Sequence, residues 1–592
     1  MIGIGKRLAA ACAVLAALCA DAPAQTAEAM RPNFVVIVVD DAGFTDLGAY
    51  GGEARTPNID ALARRGAQFT RYYTSPLCAP SRAMLLTGVD AHRTGVATIP
   101  EVLPPEHVGQ PGYTMRLEPG VATVAARLRA GGYRTYITGK WHLGHGEGDL
   151  PNDHGFDRSL VLDASGADNW EPRSYMPYYA DAPWFEDGRR AEMPREFYSS
   201  ELIVDRMIEY LEADRGRGEP FFAYVAFQAV HIPVQAPREY TERYEGVYDA
   251  GWEALREQRW RRARELGFVP PDAPPAPLHP SLRAWGDLPA EEQALYARSM
   301  AVHAAMLEAM DHHVGRLIAY LQSRGLAENT VFIVTSDNGP EPSNPLHERG
   351  FAQWMAMQGY TRRLETLGER RSYVFIGPEF ASATAAPGAL FKFYTAEGGV
   401  HAPLIVAGPG VRPARIDARA FVTDIAPTLM ERAGVAASEN EPVPMSGRSM
   451  ATVLAGQAEA IRGPDEAIGI EVSGNAALYR GDYKLVRNLP RFGDGRWRLY
   501  NIVTDPGETR DLAAEQPELL AAMRAAYDDY AVANGVLEMP PGYDVQRQVA
   551  RNAMAKQIER YWWVLAIAAA AALAVVWLAV MLLRRLYRRR PA

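Results

Sequence analysis

The chain has 592 residues, of which 48% are hydrophobic and 22% charged, so it is long enough for a large globular domain and a second, smaller unit. Its net charge of −9 at pH 7 argues against the general nucleic-acid-binding proteins, which need a basic face, and we expect no nucleic acid among its partners. An acidic protein can still form a local positive pocket for an anion.

The first 24 residues have the layout of a secretory signal peptide. Lys6 and Arg7 precede an apolar stretch, residues 8–20, and small residues follow at a site suited to cleavage. A buried N-terminal helix is the alternative interpretation. Cleavage would remove two of the three cysteines and leave Cys78 alone, so we expect no intrachain disulfide in the exported protein.

A continuous apolar run, residues 33–39, opens the main body of the chain and ends at Asp40 and Asp41. Such a run is typical of a central strand that is buried on both faces of a parallel sheet. Functional side chains collect beyond the carboxyl ends of strands of this kind. The same pattern recurs at 135–140, at 221–227 ahead of His231, and at 331–336 ahead of Asp337 and Asn338.

Helical patterns separate these predicted strands. Alternating strands and helices predict an α/β fold, with a large, mostly parallel or mixed sheet flanked by helices. Three longer connections, 165–195, 251–288 and 340–390, are expected to determine the specificity of the pocket. The helical patterns lie at 58–66, 121–130, 199–213 and 291–324.

Short strand-like segments replace the α/β pattern from about residue 471, and a helical pattern follows at 517–534. We therefore expect a small C-terminal α+β subdomain after the main domain, and a polar linker after that. The predicted boundaries are 30–470 for the catalytic domain, 471–535 for the subdomain and 536–560 for the juxtamembrane linker.

Every residue from 562 to 583 is apolar. A helix of this length spans about 33 Å, enough to cross the hydrocarbon layer of a membrane. Trp562 and Trp563 stand at one edge, and a basic tail, 584–592, follows the other. By the positive-inside rule the tail stays in the cytoplasm, so a single transmembrane helix anchors a periplasmic or extracytoplasmic body. A buried alanine-rich helix is the alternative.

The segment from Leu77 to Gly88 carries the most specific signal in the chain. Pro80, ahead of helix-forming residues, marks a helix start with Cys78 at about the cap. The free backbone N–H groups of a helix start favour an anion beside Cys78, and Arg82 adds a cation one turn later. A lone cysteine is otherwise often a small buried hydrophobic residue.

This segment, Cys78-Ala-Pro-Ser-Arg82 continuing to Thr87-Gly88, resembles the signature of the type I sulfatases, a formylglycine-dependent family with an alkaline-phosphatase-like fold. The resemblance extends along most of residues 33–515 and is strongest to bacterial arylsulfatases. It implies hydrolysis of aryl-type sulfate monoesters to an alcohol or phenol and inorganic sulfate. It also implies that a formylglycine-generating enzyme oxidises Cys78 to formylglycine. Family motifs are matched again around Lys140 and His142, around Asp337 and Asn338, and around Lys392.

Four oxygen-bearing side chains follow predicted strands: Asp40, Asp41, Asp337 and Asn338. Carboxylate and amide oxygens suit a hard cation such as Ca²⁺. Any one aspartate at a strand end is as often a helix cap or half of a salt bridge. The resemblance implies that these four residues, together with the modified Cys78, bind one Ca²⁺ per chain.

The resemblance also implies that basic residues surround the sulfate group. Lys140, His231 and Lys392 would bind the sulfate, and the last two would assist departure of the leaving oxygen. A sulfate monoester resists nucleophiles because its oxygens are negative, so such a cluster serves charge neutralisation. Other histidines near the motifs, including His92 and His401, are assigned no catalytic role.

The nucleophile that the resemblance implies is the hydrated aldehyde of formylglycine at position 78. Asp337 would act as the base for its attack on sulfur. His142 would take the proton of the second hydroxyl as sulfate leaves, and Lys140 and Arg82 would stabilise the charge that develops.

The sequence is also compatible with two other functions. A phosphonate monoester or phosphodiester hydrolase of the same superfamily would share the metal and the nucleophile. A membrane-tethered protein that binds sulfated glycans or lipids without turnover would be expected if Cys78 stayed a thiol.

Overall fold

The computed structural model describes residues 31–438 and 440–587. The predicted signal peptide and the end of the predicted basic tail, 588–592, lie outside the described residues. Within the described ranges the chain forms a ten-stranded sheet, a two-stranded sheet and a four-stranded sheet.

The ten-stranded sheet is built around β1 (Asn33–Val39), whose side chains alternate between two cores. Val35 and Ile37 pack on one face of the sheet, and Phe34 and Val36 on the other. A strand covered on both faces needs the uninterrupted apolar run that the sequence shows. The other strands are β2 (Ala67–Phe69), β3 (Tyr72–Tyr73), β4 (Arg134–Lys140), β5 (Arg158–Leu162), β6 (Trp184–Glu186), β7 (Arg189–Arg190), β8 (Phe221–Ala226), β9 (Thr330–Ser336), β10 (Leu404–Ala407), β11 (Ala414–Ile416), β12 (Ala420–Phe421), β13 (Ile468–Val472), β14 (Asn475–Arg480), β15 (Tyr483–Arg487) and β16 (Arg498–Asn501).

The order of the large sheet is β11-β2-β10-β9-β1-β8-β4-β5-β6-β7. Its five central strands, from β9 to β5, run parallel, whereas β10 and β6 pair with their inner neighbours in the antiparallel sense. The carboxyl ends of β9, β1, β8 and β4 therefore meet at one edge. The predicted α/β class with a mostly parallel or mixed sheet is confirmed.

Helices cover both faces of this sheet. Ala290–Ser323 and Ser199–Ala213 pack on one face, and Cys78–Thr87, Val124–Ala130 and Ile425–Ala433 pack on the other. Apolar residues spaced at helical intervals, facing the sheet, hold them there. The remaining α-helices of the described ranges are Pro57–Arg64, Ala91–Thr94, Arg238–Thr241, Gly251–Glu265, Phe351–Met357, Gly377–Thr384, Glu397–Val400, Ala451–Leu454, Pro517–Asn534 and Val545–Tyr587.

A small antiparallel sheet, β13-β14-β15-β16, follows the main body, as the sequence predicts. The helix Pro517–Asn534 packs on one face of it through Met523 and Tyr527, against Leu478 and Leu485. The opposite face of the sheet contacts the main body.

The last helix, Val545–Tyr587, takes in most of the segment predicted as a polar linker. That segment is ordered against the main domain, since Val545 and Gln548 are buried. The stretch Ala566–Arg585 has a mean hydropathy of 2.7 and none of it is buried. It is long and apolar enough to cross a membrane, and it is not the buried alanine-rich helix that the sequence left as an alternative.

Candidate functional site

The ends of β1 and β9 bring four oxygen-bearing side chains together. The strands pair in parallel with Val39 opposite Ser336, so the two residues that follow each strand are neighbours. The backbone N–H of Asp41 donates to Asp337 Oδ1 at 3.2 Å, and Asn338 Nδ2 donates to Asp41 Oδ1 at 2.6 Å. Asp41 has φ 67°, which is a strained conformation for a residue with a side chain. Strained residues of this kind are common at functional sites.

Cys78 is the first residue of its helix and Leu77 is the cap, so the helix begins one position earlier than the sequence suggested. Its Sγ lies 3.7 Å from Asp41 Oδ1. Burial raises the pKa of the Cys78 thiol well above its usual value, so the unmodified side chain stays protonated and is a weak nucleophile.

The acidic groups lie close enough together to hold a metal ion. One potential ligand atom from each of Asp40, Asp41, Cys78 and Asp337 lies within 4.8 Å of all the others. Burial raises the pKa of Asp40, and the neighbouring carboxylates add to the effect. Asn338 Oδ1 is buried and has no hydrogen-bond partner in the described part of the chain. Oxygen donors with an unmet acceptor fit a hard divalent cation.

Two buried cations stand behind the acids. Lys140 Nζ lies 2.9 and 2.8 Å from the two carboxylate oxygens of Asp40. Arg82 donates from Nε to Asp337 Oδ2 at 2.9 Å and from Nη1 to the carbonyl of Lys140 at 3.0 Å. Burial alone would lower the pKa of Lys140, but Asp40 raises it above its usual value, so the ammonium stays charged. The ion pairs fix the orientation of both acids.

A third cation, Lys392, lies on the other side of Asp41. Its Nζ is 2.8 Å from Asp41 Oδ1 and 2.9 Å from Glu341 Oε2. Glu341 was missed from the sequence, although it follows Asn338 by three residues at the same strand end. Its position shortly after β9 is the feature of the sequence that could have identified it.

Two buried histidines complete the cluster. His142 has φ 60°, and neither of its ring nitrogens has a hydrogen-bond partner among the described residues. His231 Nδ1 donates to the carbonyl of Ile232 at 2.6 Å, which leaves Nε2 unprotonated, 3.7 Å from Asp41 Oδ2. Burial lowers the pKa of both rings, with added repulsion from Lys140 and Lys392, so both are neutral at pH 7.

The structure thus brings all the sequence-predicted site residues into one buried cluster. The cluster combines acidic oxygens, fixed cations and neutral imidazoles, which suits binding of a metal and an anion side by side. Its members are Asp40, Asp41, Cys78, Arg82, Lys140, His142, His231, Asp337, Asn338 and Lys392.

Comparisons with known proteins agree with this geometry. The sequence profile of the family described as Sulfatase matches residues 32–435. An uncharacterised sulfatase of Schizosaccharomyces pombe is 33% identical over 87% of this chain and 96% of its own length. The arylsulfatase of Klebsiella aerogenes is 34% identical over 73% of this chain and 93% of its own length.

The fold has solved counterparts as well. The crystal structure of Ps i-CgsB in complex with k-i-k-neocarrahexaose matches with a TM-score of 0.62. The match covers 90% of this chain and 99% of that one, at 22% sequence identity. At that identity the likeness concerns the fold alone.

Proposed function

The chain belongs to the sulfatase family and is a sulfuric ester hydrolase, and we propose that it hydrolyses aryl sulfates to a phenol and inorganic sulfate. The single observation that carries the proposal is the buried cluster around Asp41, where acidic oxygens meet Lys392, His231 and Cys78. The likeness to a bacterial arylsulfatase supports the aryl class over the phosphonate or phosphodiester alternative.

We propose Ca²⁺ as the metal, held by Asp40, Asp41, Asp337 and Asn338 together with the modified residue at position 78. The unpartnered Asn338 Oδ1 and the crowded carboxylates support this assignment. When bound, Ca²⁺ supplies positive charge that neutralises the sulfate and polarises an oxygen nucleophile.

Position 78 is proposed to act as formylglycine, made from Cys78 by a formylglycine-generating enzyme; its hydrated aldehyde supplies two hydroxyl groups, one of them the nucleophile. The raised pKa of the buried thiol supports a modified residue, because an unmodified cysteine here holds its proton.

The sulfate group is proposed to bind between His231 and Lys392. Burial alone would lower the pKa of Lys392, but Asp41 raises it well above its usual value, so the ammonium keeps three protons to donate to sulfate or to the leaving oxygen. His231, fixed through Nδ1 on Ile232, presents Nε2 towards the same space, and this nitrogen donates to the sulfate once it has taken up a proton.

Proton transfer is proposed for Asp337 and His142. Asp337 takes the proton of the attacking group, and its second oxygen is held by Arg82 at 2.9 Å. His142 accepts a proton at a ring nitrogen when sulfate departs, because its ring is neutral and free of hydrogen bonds to the described residues. Lys140 and Arg82 stabilise the negative charge of both steps.

We also propose that the last helix anchors the protein in a membrane, with an exported catalytic domain, 30–470, and a subdomain, 471–535. The exposed apolar stretch Ala566–Arg585 supports the anchor, and the predicted signal peptide supports the orientation. Trp562 and Trp563, both more than half exposed, suit the membrane interface.

Mass spectrometry of the peptide that contains Cys78 tests the nucleophile. Protein from a host with a formylglycine-generating enzyme should show the mass loss that accompanies oxidation of the thiol to the aldehyde, and it alone should be active. Cys78→Ser has a hydroxyl but no second one for release of sulfate, so a Cys78→Ser enzyme that turns over at the wild-type rate would contradict the proposal.

A further inference from the structure

The base of the last helix is fixed to the main domain before its apolar stretch begins. Asn552 Nδ2 donates to the backbone carbonyls of Glu101 at 3.0 Å and Leu103 at 2.9 Å. The Tyr543 hydroxyl, just ahead of the helix, donates to the carbonyl of Val102 at 2.8 Å. The helix therefore leaves the domain at a set place and direction rather than on a flexible tether.

The next turns of the helix hold a second segment of the main domain, residues 174–179. Gln557 Nε2 donates to the carbonyl of Pro177. The Arg560 guanidinium lies 3.4 Å from the carbonyls of both Tyr178 and Tyr179.

The same segment forms a wall of the site. The Tyr175 ring meets the His231 ring edge-on, with 5.2 Å between centroids. The Tyr175 hydroxyl is 2.5 Å from Ser165 Oγ, and the Ser165 N–H donates to the Tyr179 hydroxyl at 3.0 Å. Gly166 packs so closely that a Cβ there would lie 2.5 Å from His231 Nδ1. Residues 165–179 thus connect His231 to the base of the helix.

The distances along this connection are short. Four residues from Tyr175 to Tyr179 span at most about 14 Å. Six helical residues from Arg560 to the start of the apolar stretch at Ala566 rise about 9 Å. The half-buried Tyr178 therefore lies near the level of Tyr561 and Trp562, where aromatic side chains mark a membrane interface.

From this placement we infer that the substrates of the site are amphiphilic sulfate esters, whose apolar part lies in the membrane while the sulfate reaches His231 past residues 174–179. The inference rests on the proposed sulfatase function and on the membrane anchor. A site wall fixed at a set height above the bilayer suits an ester presented at that surface.

The test uses two aryl sulfates with the same reacting group: soluble phenyl sulfate, and 4-dodecylphenyl sulfate in phosphatidylcholine vesicles that also carry the full-length protein. One variant has a Gly-Ser insertion of about ten residues between Arg560 and Tyr561, which keeps the anchor but adds a reach of about 17 Å. The matched control carries the same insertion after Gly216, in an exposed turn at the opposite edge of the sheet.

We expect the 560/561 insertion to lower kcat/KM for the vesicle ester about tenfold, because the effective concentration at the site falls. The value for phenyl sulfate should stay within about twofold of wild type, and the control should match wild type on both esters. Equal turnover of the vesicle ester by wild type and the 560/561 variant would overturn the inference, as would loss of both activities in that variant. If wild type hydrolyses neither ester, the proposed function itself fails.

Discussion

Two buried clusters of charged side chains differ in how their polar atoms are partnered. The seam cluster joins the main domain to the C-terminal sheet through two separate sets of ion pairs, one of His92 with Glu471 and one of Lys484 with Glu397 and Glu508. There Lys484 Nζ lies 2.9 Å from Glu397 Oε1 and 2.8 Å from Glu508 Oε1, and His92 Nε2 lies 2.7 Å from Glu471 Oε2.

The site around Asp41 is equally buried but leaves polar atoms without partners among the residues described. Both ring nitrogens of His142 and the Oδ1 of Asn338 are of this kind. An unpartnered buried polar atom destabilises a fold by about 1–3 kcal/mol. The seam pairs opposite charges across a domain contact, whereas the site keeps atoms free for groups that the chain itself does not supply.

The largest effect that follows from this comparison is expected from His142→Ala. Loss of the proton acceptor should lower kcat for an aryl sulfate about 10²- to 10⁴-fold. The melting temperature should not fall, because no hydrogen bond between described side chains is lost. Kinetics and thermal unfolding of the same preparation check this. A lower melting temperature for His142→Ala, with kcat of the folded protein unchanged, would contradict this difference between the site and the seam.

His92→Ala should do the reverse, because it leaves Glu471 buried without its partner. We expect the free energy of unfolding to fall by about 3–5 kcal/mol, with kcat/KM of the folded protein unchanged. Denaturant unfolding and aryl sulfate kinetics measure the two effects. A fall in kcat/KM of the folded protein would mean that the seam and the site are not independent.

The pH dependence of stability gives a control for His92. Burial opposes protonation, but bonds to Asp90 and Glu471 raise the pKa of His92 to about 10. Since the unfolded value is about 6.5, the stabilisation is fully present below pH 6.5 and is lost as the pH rises towards 10. Between those values wild type should lose stability more steeply than His92→Ala, and parallel curves would exclude a charged His92.

Calcium should stabilise the site and leave the seam unaffected. At about 100 times its Kd, Ca²⁺ should raise the free energy of unfolding by about 2.7 kcal/mol, because it binds the folded state alone. Asn338→Ala should weaken this gain, whereas His92→Ala should retain it. Thermal unfolding in EGTA and in a series of Ca²⁺ concentrations measures the change in stability. If Ca²⁺ does not stabilise the wild-type protein, it is not the metal of this site.

The smallest effect is expected at Glu341, as a positioning residue for Lys392. Glu341→Ala frees one side of the ammonium, and we expect KM to rise about tenfold with little change in kcat, the size of one charge-assisted hydrogen bond. Glu341→Gln keeps an oxygen acceptor and should lie nearer to wild type. A change in kcat alone, or no rescue by Gln, would contradict a positioning role.

The sequence predicted the large sheet well because its signal is local. The apolar runs ahead of Asp40 and Asp337 have the length and bounds of buried strands, and parallel strands place such ends at one edge. Glu341 follows β9 by only a few residues, but it was missed because its importance comes from contact with Lys392, far along the chain.

The segment before the apolar helix was predicted as a polar linker because it is rich in charged and amide side chains. In the structure, Val545 and Val549 pack against the core of the main domain, and polar side chains add to the contact: Gln548 is buried, and Asn552 binds backbone carbonyls of the main domain. Polar contacts of this kind depend on the partner surface, so they leave no hydrophobic pattern to detect.

The most direct test of the central claim compares kcat/KM on phenyl sulfate with kcat/KM on a phenyl phosphonate monoester, in Ca²⁺, with Cys78→Ala as the control. We expect a clear preference for the sulfate and a loss of at least about 10⁴-fold in Cys78→Ala, whose small buried side chain should leave the fold intact. A preference for the phosphonate, or a fully active Cys78→Ala enzyme, would contradict a sulfatase that works through position 78.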